Sequence, residues 1–265
     1  MSYAGIRGMR AAGEDALALA AALTAEQWSL ESAATGWSVK DVYLHMGALL
    51  ALLQDAVNGA DVPPMGIEAL NDTIVAARRD WTVQETTTFL AEQLDAAVQT
   101  FGPLQDEPAA SATVPLLDLG TYPLHAIADM FAFDISTHVR LDVAAPRGPV
   151  DVALPALDET RLAPAVSWLI GGLQKMQPEL TSAILQPISL QLTGPAARTI
   201  QISRSTDSVV VHEPPDPAEK SAAMLTSTTA DFLAWSTKRL AWANVVQVVG
   251  DHAVATTFLD AVNLI

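Results

Sequence analysis

Residues 122–142, YPLHAIADMFAFDISTHVRLD, constrain this chain more than any other stretch. They read as one long helix, yet two histidines and three aspartates stand where a core helix would carry alanine and leucine. Such groups are costly inside a helical bundle unless something satisfies them, and a metal ion would do so. Two i, i+4 pairs compete for that role: His125 with Asp129, and Asp134 with His138. Residues four apart lie over one another on one helical face and can share an ion. Successive residues turn by about 100°, so Asp134 falls roughly half a turn from His125 and only one pair can face a given interior.

The apolar residues of the stretch surround the helix and do not decide between the pairs. Position does. A third histidine, His45, lies two turns inside its own helix, on a stripe with Val42, Met46, Leu49, Leu52 and Leu53 at i, i+3, i+4, i+7 spacing. A deep partner suits it better than one in the first turn after Tyr122-Pro123. That places Asp134 and His138 with His45 and puts His125 and Asp129 at a rim or surface. Two imidazoles and a carboxylate, with other positions open, suit zinc or another divalent transition metal in a catalytic arrangement. Asp142, one turn beyond His138, is placed to orient that ring.

The rest of the chain supplies the setting. Residues 6–23 have helical periodicity, and Thr24 caps a short AEQW turn. Ser38 is an N-cap with Asp41 three residues on. Gly59–Pro64 is a breaker, 66–100 is amphipathic helix, and 102–121 is a proline-rich loop. Four helices with one polar seam indicate an antiparallel four-helix bundle, in which sites are built from facing helices. Beyond Pro149 the texture becomes α+β. A helix at 158–177 precedes strands at ISLQLTG, RTIQISRS and SVVVHE, and DPAEKSAAMLTS is a loop leading to a further strand. The helix TTADFLAWSTKRL, the strand NVVQVVGD and a closing helix follow. The fold class is multidomain, α then α+β, with domains at 1–148 and 149–265.

Composition narrows the function. Half of the residues are hydrophobic, which assures a sizeable core. A net charge of −16 without a basic cluster disfavours nucleic acid. Cysteine is absent, so thiol chemistry would need a thiol brought by a cofactor. Glu14 and Asp15 interrupt the first apolar run, and no stretch approaches the roughly 18 apolar residues of a spanning helix. The expectation is a cytoplasmic protein, monomeric or homodimeric, with no membrane partner.

The segment ATGWSVKDVYLHMGALL resembles the second-helix signature of the DinB-like metalloproteins, where a Trp-Ser/Thr-Val-Lys-Asp-Val run precedes a ligand histidine. Joined to an α+β, sterol-carrier-like C-terminal domain, the chain resembles the mycothiol-dependent maleylpyruvate isomerase family. The resemblance implies metal ligands His45, Asp134 and His138, with Asp142 following, and a divalent metal, typically zinc. It further implies mycothiol as the thiol cofactor and a small electrophile such as maleylpyruvate as substrate, for an isomerase or an S-transferase. The family has glutamate where this chain has Asp134, one methylene shorter. Coordination at longer range, through water, or not at all all remain open at that position. Arg78, Arg79, Arg140, Arg204 and Arg239 are candidate anchors for an anionic substrate, and Arg239, in AWSTKRLAW, matches the family's C-terminal region loosely. Arg239 is the candidate catalytic residue. The alternative function is a carrier of an apolar small molecule, its bundle metal structural, with Trp168, Trp235 and Trp242 lining the pocket. His212 and His252 have no partner at ligand spacing.

Overall fold

The computed structural model describes residues 3–264. It divides into two compact units, one through Ala156 and the other from Leu157 onward. No helix among the described residues is long and apolar enough to cross a membrane.

The first unit is helical: α1 (Ala4–Ala22), α2 (Val39–Val57), α3 (Ile67–Ala76), α4 (Val83–Phe101) and α5 (Ala126–Thr137). The α2 N-terminus forms as its sequence predicts. Ser38 Oγ accepts from the Asp41 amide at 3.2 Å, and Asp41 Oδ2 accepts from the Ser38 amide at 3.0 Å. This reciprocal cap satisfies two donors that a helix start would otherwise leave orphaned. The apolar stripe is buried at Val42, Met46, Leu49 and Leu53 and half-buried at Leu52, and the middle of α2 is enclosed on every side. α1 packs along α5, and α2 packs along α4. Gly47 brings α2 and α4 close, because a Cβ there would lie 2.9 Å from Phe89 Cδ1.

Two stretches depart from the sequence reading. The helix expected over 66–100 is broken between α3 and α4 by a turn at residues 77–81. Thr82 and Glu85 cause the restart, since the Thr82 hydroxyl caps the Glu85 amide while the Glu85 carboxylate accepts from the Thr82 amide at 2.7 Å. The proline-rich loop contains a two-stranded antiparallel ribbon, β1 (Thr113–Pro115) with β2 (Thr121–Pro123). Tyr122 therefore pairs with Val114 in a strand, and the helix that carries Asp134 begins only at Ala126. At its far end α5 widens into a π-helical segment, His138–Val143.

The second unit begins with α6 (Glu159–Gly172) and a short α7 (Leu180–Ala183). Its sheet contains β3 (Ile188–Thr193), β4 (Arg198–Arg204), β5 (Val209–His212), β6 (Ala223–Thr228) and β7 (Gln247–Gly250), in the order β5-β4-β3-β6-β7. The β3–β6 pair is parallel and the other pairs are antiparallel. β6 is formed by the end of the segment read as loop. Its alternation of buried Ala223, Leu225 and Ser227 with exposed neighbours is short and lacks the β-branched richness of β5. α8 (Thr229–Ser236) and α9 (His252–Ala261) pack on β6 and, with α6, enclose a core that includes Trp168, Trp235 and Phe258.

Candidate metal centre

His45 sits two turns into α2, where the Ser38 cap fixes the helix start, and only 1% of its surface reaches solvent. Asp134 in α5 and His138, the first residue of the π-helical segment, stand four residues apart on one face. The three side chains converge. His45 Nε2 lies 3.3 Å and His138 Nε2 lies 3.6 Å from the same oxygen, Asp134 Oδ1. One ligand atom from each residue can be chosen so that all lie within 4.8 Å of one another. The imidazoles meet edge to face, 4.8 Å between ring centres.

The hydrogen bonding of His138 tests whether the site suits a cation. Its Nδ1 lies 2.9 Å from Asp142 Oδ2, and Asp142 is entirely buried. Asp142 also accepts from Arg147 through its other oxygen, so both carboxylate oxygens face donors. Nδ1 must therefore carry a proton, and in the neutral ring Nε2 presents a lone pair toward Asp134 Oδ1. Two acceptors facing one another in a site of low exposure repel unless a positive charge lies between them. A proton on Nε2 or a divalent cation supplies that charge. His45 turns Nε2 toward Asp134 Oδ1, and its Nδ1 is buried with no hydrogen-bond partner among the described residues. Two imidazole nitrogens and a carboxylate oxygen, with the Nδ1 of one ring tied to a carboxylate, fit a divalent transition metal.

Trp37 forms a wall of the site that the spacing of the histidines gives no sign of. Its ring centre lies 4.9 Å from that of His45 and 6.3 Å from that of His138, and its Nε1 donates to Asp72 at 3.0 Å. Its place immediately before the Ser38 cap, where an apolar residue often folds back on a helix, is the signal that could have marked it. Arg147 is the second residue missed. It lies in the Pro-Arg-Gly turn after the site helix and reads as an ordinary loop cation.

The competing pair has other surroundings. His125 Nδ1 donates to the Ala110 carbonyl at 3.0 Å, and the Asp129 side chain lies against α1, where a Cβ on Gly5 would come within 2.5 Å of it. Of the arginines, Arg78 lies over the rings of Trp81 and Phe89, at 5.5 and 5.6 Å. Arg79 pairs with Asp41 and Arg140 with Asp15. Arg204 is exposed at the end of β4, and Arg239 is half-buried in the turn after α8, within the second unit. Trp168 and Trp235 are packed core, and Trp242 Nε1 donates to Asp260 at 2.8 Å. An apolar cavity of about 70 Å³ lies instead in the helical unit, lined among others by Leu49, Leu53, Leu70, Leu117 and Met130.

Comparison with known proteins bears on the whole chain. A family model described as the mycothiol maleylpyruvate isomerase N-terminal domain matches residues 9–144, more than half of the sequence and the stretch that holds all three converging side chains. The crystal structure of the mycothiol-dependent maleylpyruvate isomerase has a similar fold, with a TM-score of 0.59 at 13% identity over 93% of this chain and 92% of that one. A histidine-to-alanine mutant of that isomerase gives a TM-score of 0.58 over the same shares at the same identity. No curated protein matches. The helical unit followed by an α+β unit is thus a known arrangement, and the chain belongs to the family of the mycothiol maleylpyruvate isomerase N-terminal domain.

Proposed function

We propose that this protein is a metal-dependent enzyme that uses mycothiol to act on a small electrophile, as an isomerase of the maleylpyruvate type or as an S-transferase. The observation that carries the reading is the convergence of His45 Nε2, His138 Nε2 and Asp134 Oδ1 on one point, with His138 held by a buried carboxylate. His45, Asp134 and His138 would hold the ion, with zinc the expected metal. A divalent ion there supplies Lewis acidity, which lowers the pKa of a thiol and favours its thiolate at neutral pH.

The chain's own residues have separate tasks. Asp142 fixes the His138 tautomer through Nδ1, so that Nε2 is free to ligate. The Trp37 indole packs beside both imidazoles and covers one side of the site with apolar surface. The absence of cysteine means that the sulfur nucleophile comes from the cofactor. For an isomerisation the thiolate sulfur adds to one carbon of the substrate double bond. Rotation about the resulting single bond and expulsion of the same thiolate regenerate the double bond in the other geometry, with no net change in atoms. A transferase keeps the new carbon–sulfur bond, and either the neighbouring carbon takes up a proton, which completes an addition, or a leaving group departs with its bonding pair, which completes a displacement.

Arg239 stays within this proposal as the cation for an anionic substrate group, supported by the loose likeness of AWSTKRLAW to the isomerase C-terminal region. The proposal also takes 1–148 as the metal-binding domain and 149–265 as a sterol-carrier-like domain. The test is an assay of zinc-loaded protein with mycothiol and maleylpyruvate, followed by the fumarylpyruvate formed. Thiol-dependent turnover that falls at least 100-fold in His138→Ala is the expected result. Turnover of equal rate in both proteins would contradict the reading.

A further inference from the structure

The His138–Val143 segment is clamped from two sides. On one side Arg140 donates to the buried Asp15 of α1 at 2.6 Å. On the other, Arg147 reaches back from the following turn to Asp142 and also donates to the Leu141 carbonyl at 3.2 Å. The turn that returns Arg147 is tightly built. Gly148 N–H donates to the Ala144 carbonyl at 2.9 Å, and the Ala145 amide donates to the Val150 carbonyl at 2.7 Å. A side chain at position 148 would collide with the Val143 carbonyl, so this return of the backbone requires glycine. The guanidinium is thereby fixed over a carboxylate that has no exposed surface.

The two ion pairs differ in what lies behind them. Asp15 belongs to α1, so Arg140 ties the segment to that helix. Asp142 leads, through Oδ2, to His138 Nδ1 and so to one of the three converging donors. An ionised carboxylate wholly removed from water is costly unless fully bonded, and Arg147 occupies the oxygen that His138 does not. Without that partner the Asp142 carboxylate loses one of the two bonds that hold it in place, and a carboxylate that turns away no longer holds the His138 ring through Nδ1.

We propose that Arg147 is a positioning residue for the metal centre. Acting through Asp142, it sets the tautomer and orientation of His138 and so raises the affinity of the site for a divalent cation. This rests on the metal-binding reading above, and the experiment separates the two. The readout is the dissociation constant for Co²⁺, titrated by its visible ligand-field absorption, together with thermal melting of the metal-free protein. Partners that orient a metal-bound histidine typically contribute about 10–100-fold in affinity. Arg147→Met is expected to weaken Co²⁺ binding by roughly that factor, and Arg147→Lys to restore part of it. In an Asp142→Asn background Arg147→Met is expected to cost less than about threefold further, because the path is already cut. Arg140→Met, which removes the other clamp, is expected to lower the melting temperature and leave the Co²⁺ affinity within about threefold of wild type. Unchanged affinity in folded Arg147→Met overturns the proposal, as do losses that multiply fully in the double variant. Should Arg147→Met fail to fold, the affinity of Arg147→Lys decides: a value equal to wild type, with Asp142→Asn equal to it as well, overturns the proposal. A wild-type protein that takes up no Co²⁺ overturns the metal-binding reading and this inference with it.

Discussion

His138 Nδ1 lies 2.9 Å from Asp142 Oδ2, inside a segment where α5 has widened into a π-helical turn, and Asp142 has no contact with solvent. The bond joins a feature that a repeating helical pattern cannot announce to a site imidazole whose tautomer it fixes. π-turns inside α-helices are rare and recur at functional sites.

A direct consequence is a fixed tautomer. In the metal-free protein the His138 ring should show a proton on Nδ1, slow to exchange with water, in nitrogen–proton correlation spectra of the imidazoles. Asp142→Asn should abolish that protection. A ring that samples both tautomers equally in the wild type would refute the assignment.

Asp134 contributes the oxygen shared by both imidazoles. It stands in the first turn N-terminal to His138, 15% exposed at the side chain, and is close enough to both Nε2 atoms to ligate an ion placed between them. Asp134→Ala is expected to lower divalent-metal affinity by at least tenfold. Asp134→Glu, which adds one methylene, should keep affinity within about tenfold of wild type, since the ligand type is unchanged. Isothermal titration with Zn²⁺ in a competing chelator measures both. Wild-type affinity in Asp134→Ala would remove this residue from the site.

Trp37 reports on occupancy. With its ring centre 4.9 Å from His45, it lies within contact quenching distance of a paramagnetic ion bound there. Addition of Cu²⁺ or Co²⁺ should quench part of the tryptophan emission, and Trp37→Phe should remove most of the quenchable fraction. Equal quenching in the variant would place the ion elsewhere.

Much of this arrangement is legible in the residues themselves. Ser38 and Asp41 announce the start of α2, and counting from that cap puts His45 two turns in. The four-residue step from Asp134 to His138 implies one face, and the choice of this pair over His125 and Asp129 follows from depth along the helix. What escaped the reading depends on tertiary pairing. The Thr82–Glu85 cap lay unnoticed inside a stretch of good helix formers, so two helices read as one. Tyr122 looked helical because its strand partner, Val114, sits in a loop rich in proline. Arg147 carried no local pattern, and its partner is visible only once the turn at Gly148 folds back.

The α4 cap yields a pH dependence. Hydrogen bonds from the Thr82 hydroxyl and then the Thr82 amide hold the Glu85 carboxyl below its ordinary value of 4.5, against a small opposing effect of burial. A lowered folded-state value means that the contribution is complete above pH 4.5 and is lost as the pH falls through the folded value. Urea unfolding between pH 3 and 6, compared for wild type and Glu85→Gln, should therefore show the two curves converging at the acid end and separating toward pH 6. A constant separation across that range would contradict the cap's role.

Metal content tests the central claim most directly. Wild-type protein and His138→Ala, purified identically and loaded with Zn²⁺ before extensive dialysis, would be compared by elemental analysis. The predicted result is about one ion per chain in the wild type and a small fraction of that in the variant, with both proteins folded. Equal metal content in the two would contradict the account, because His138 would then hold nothing.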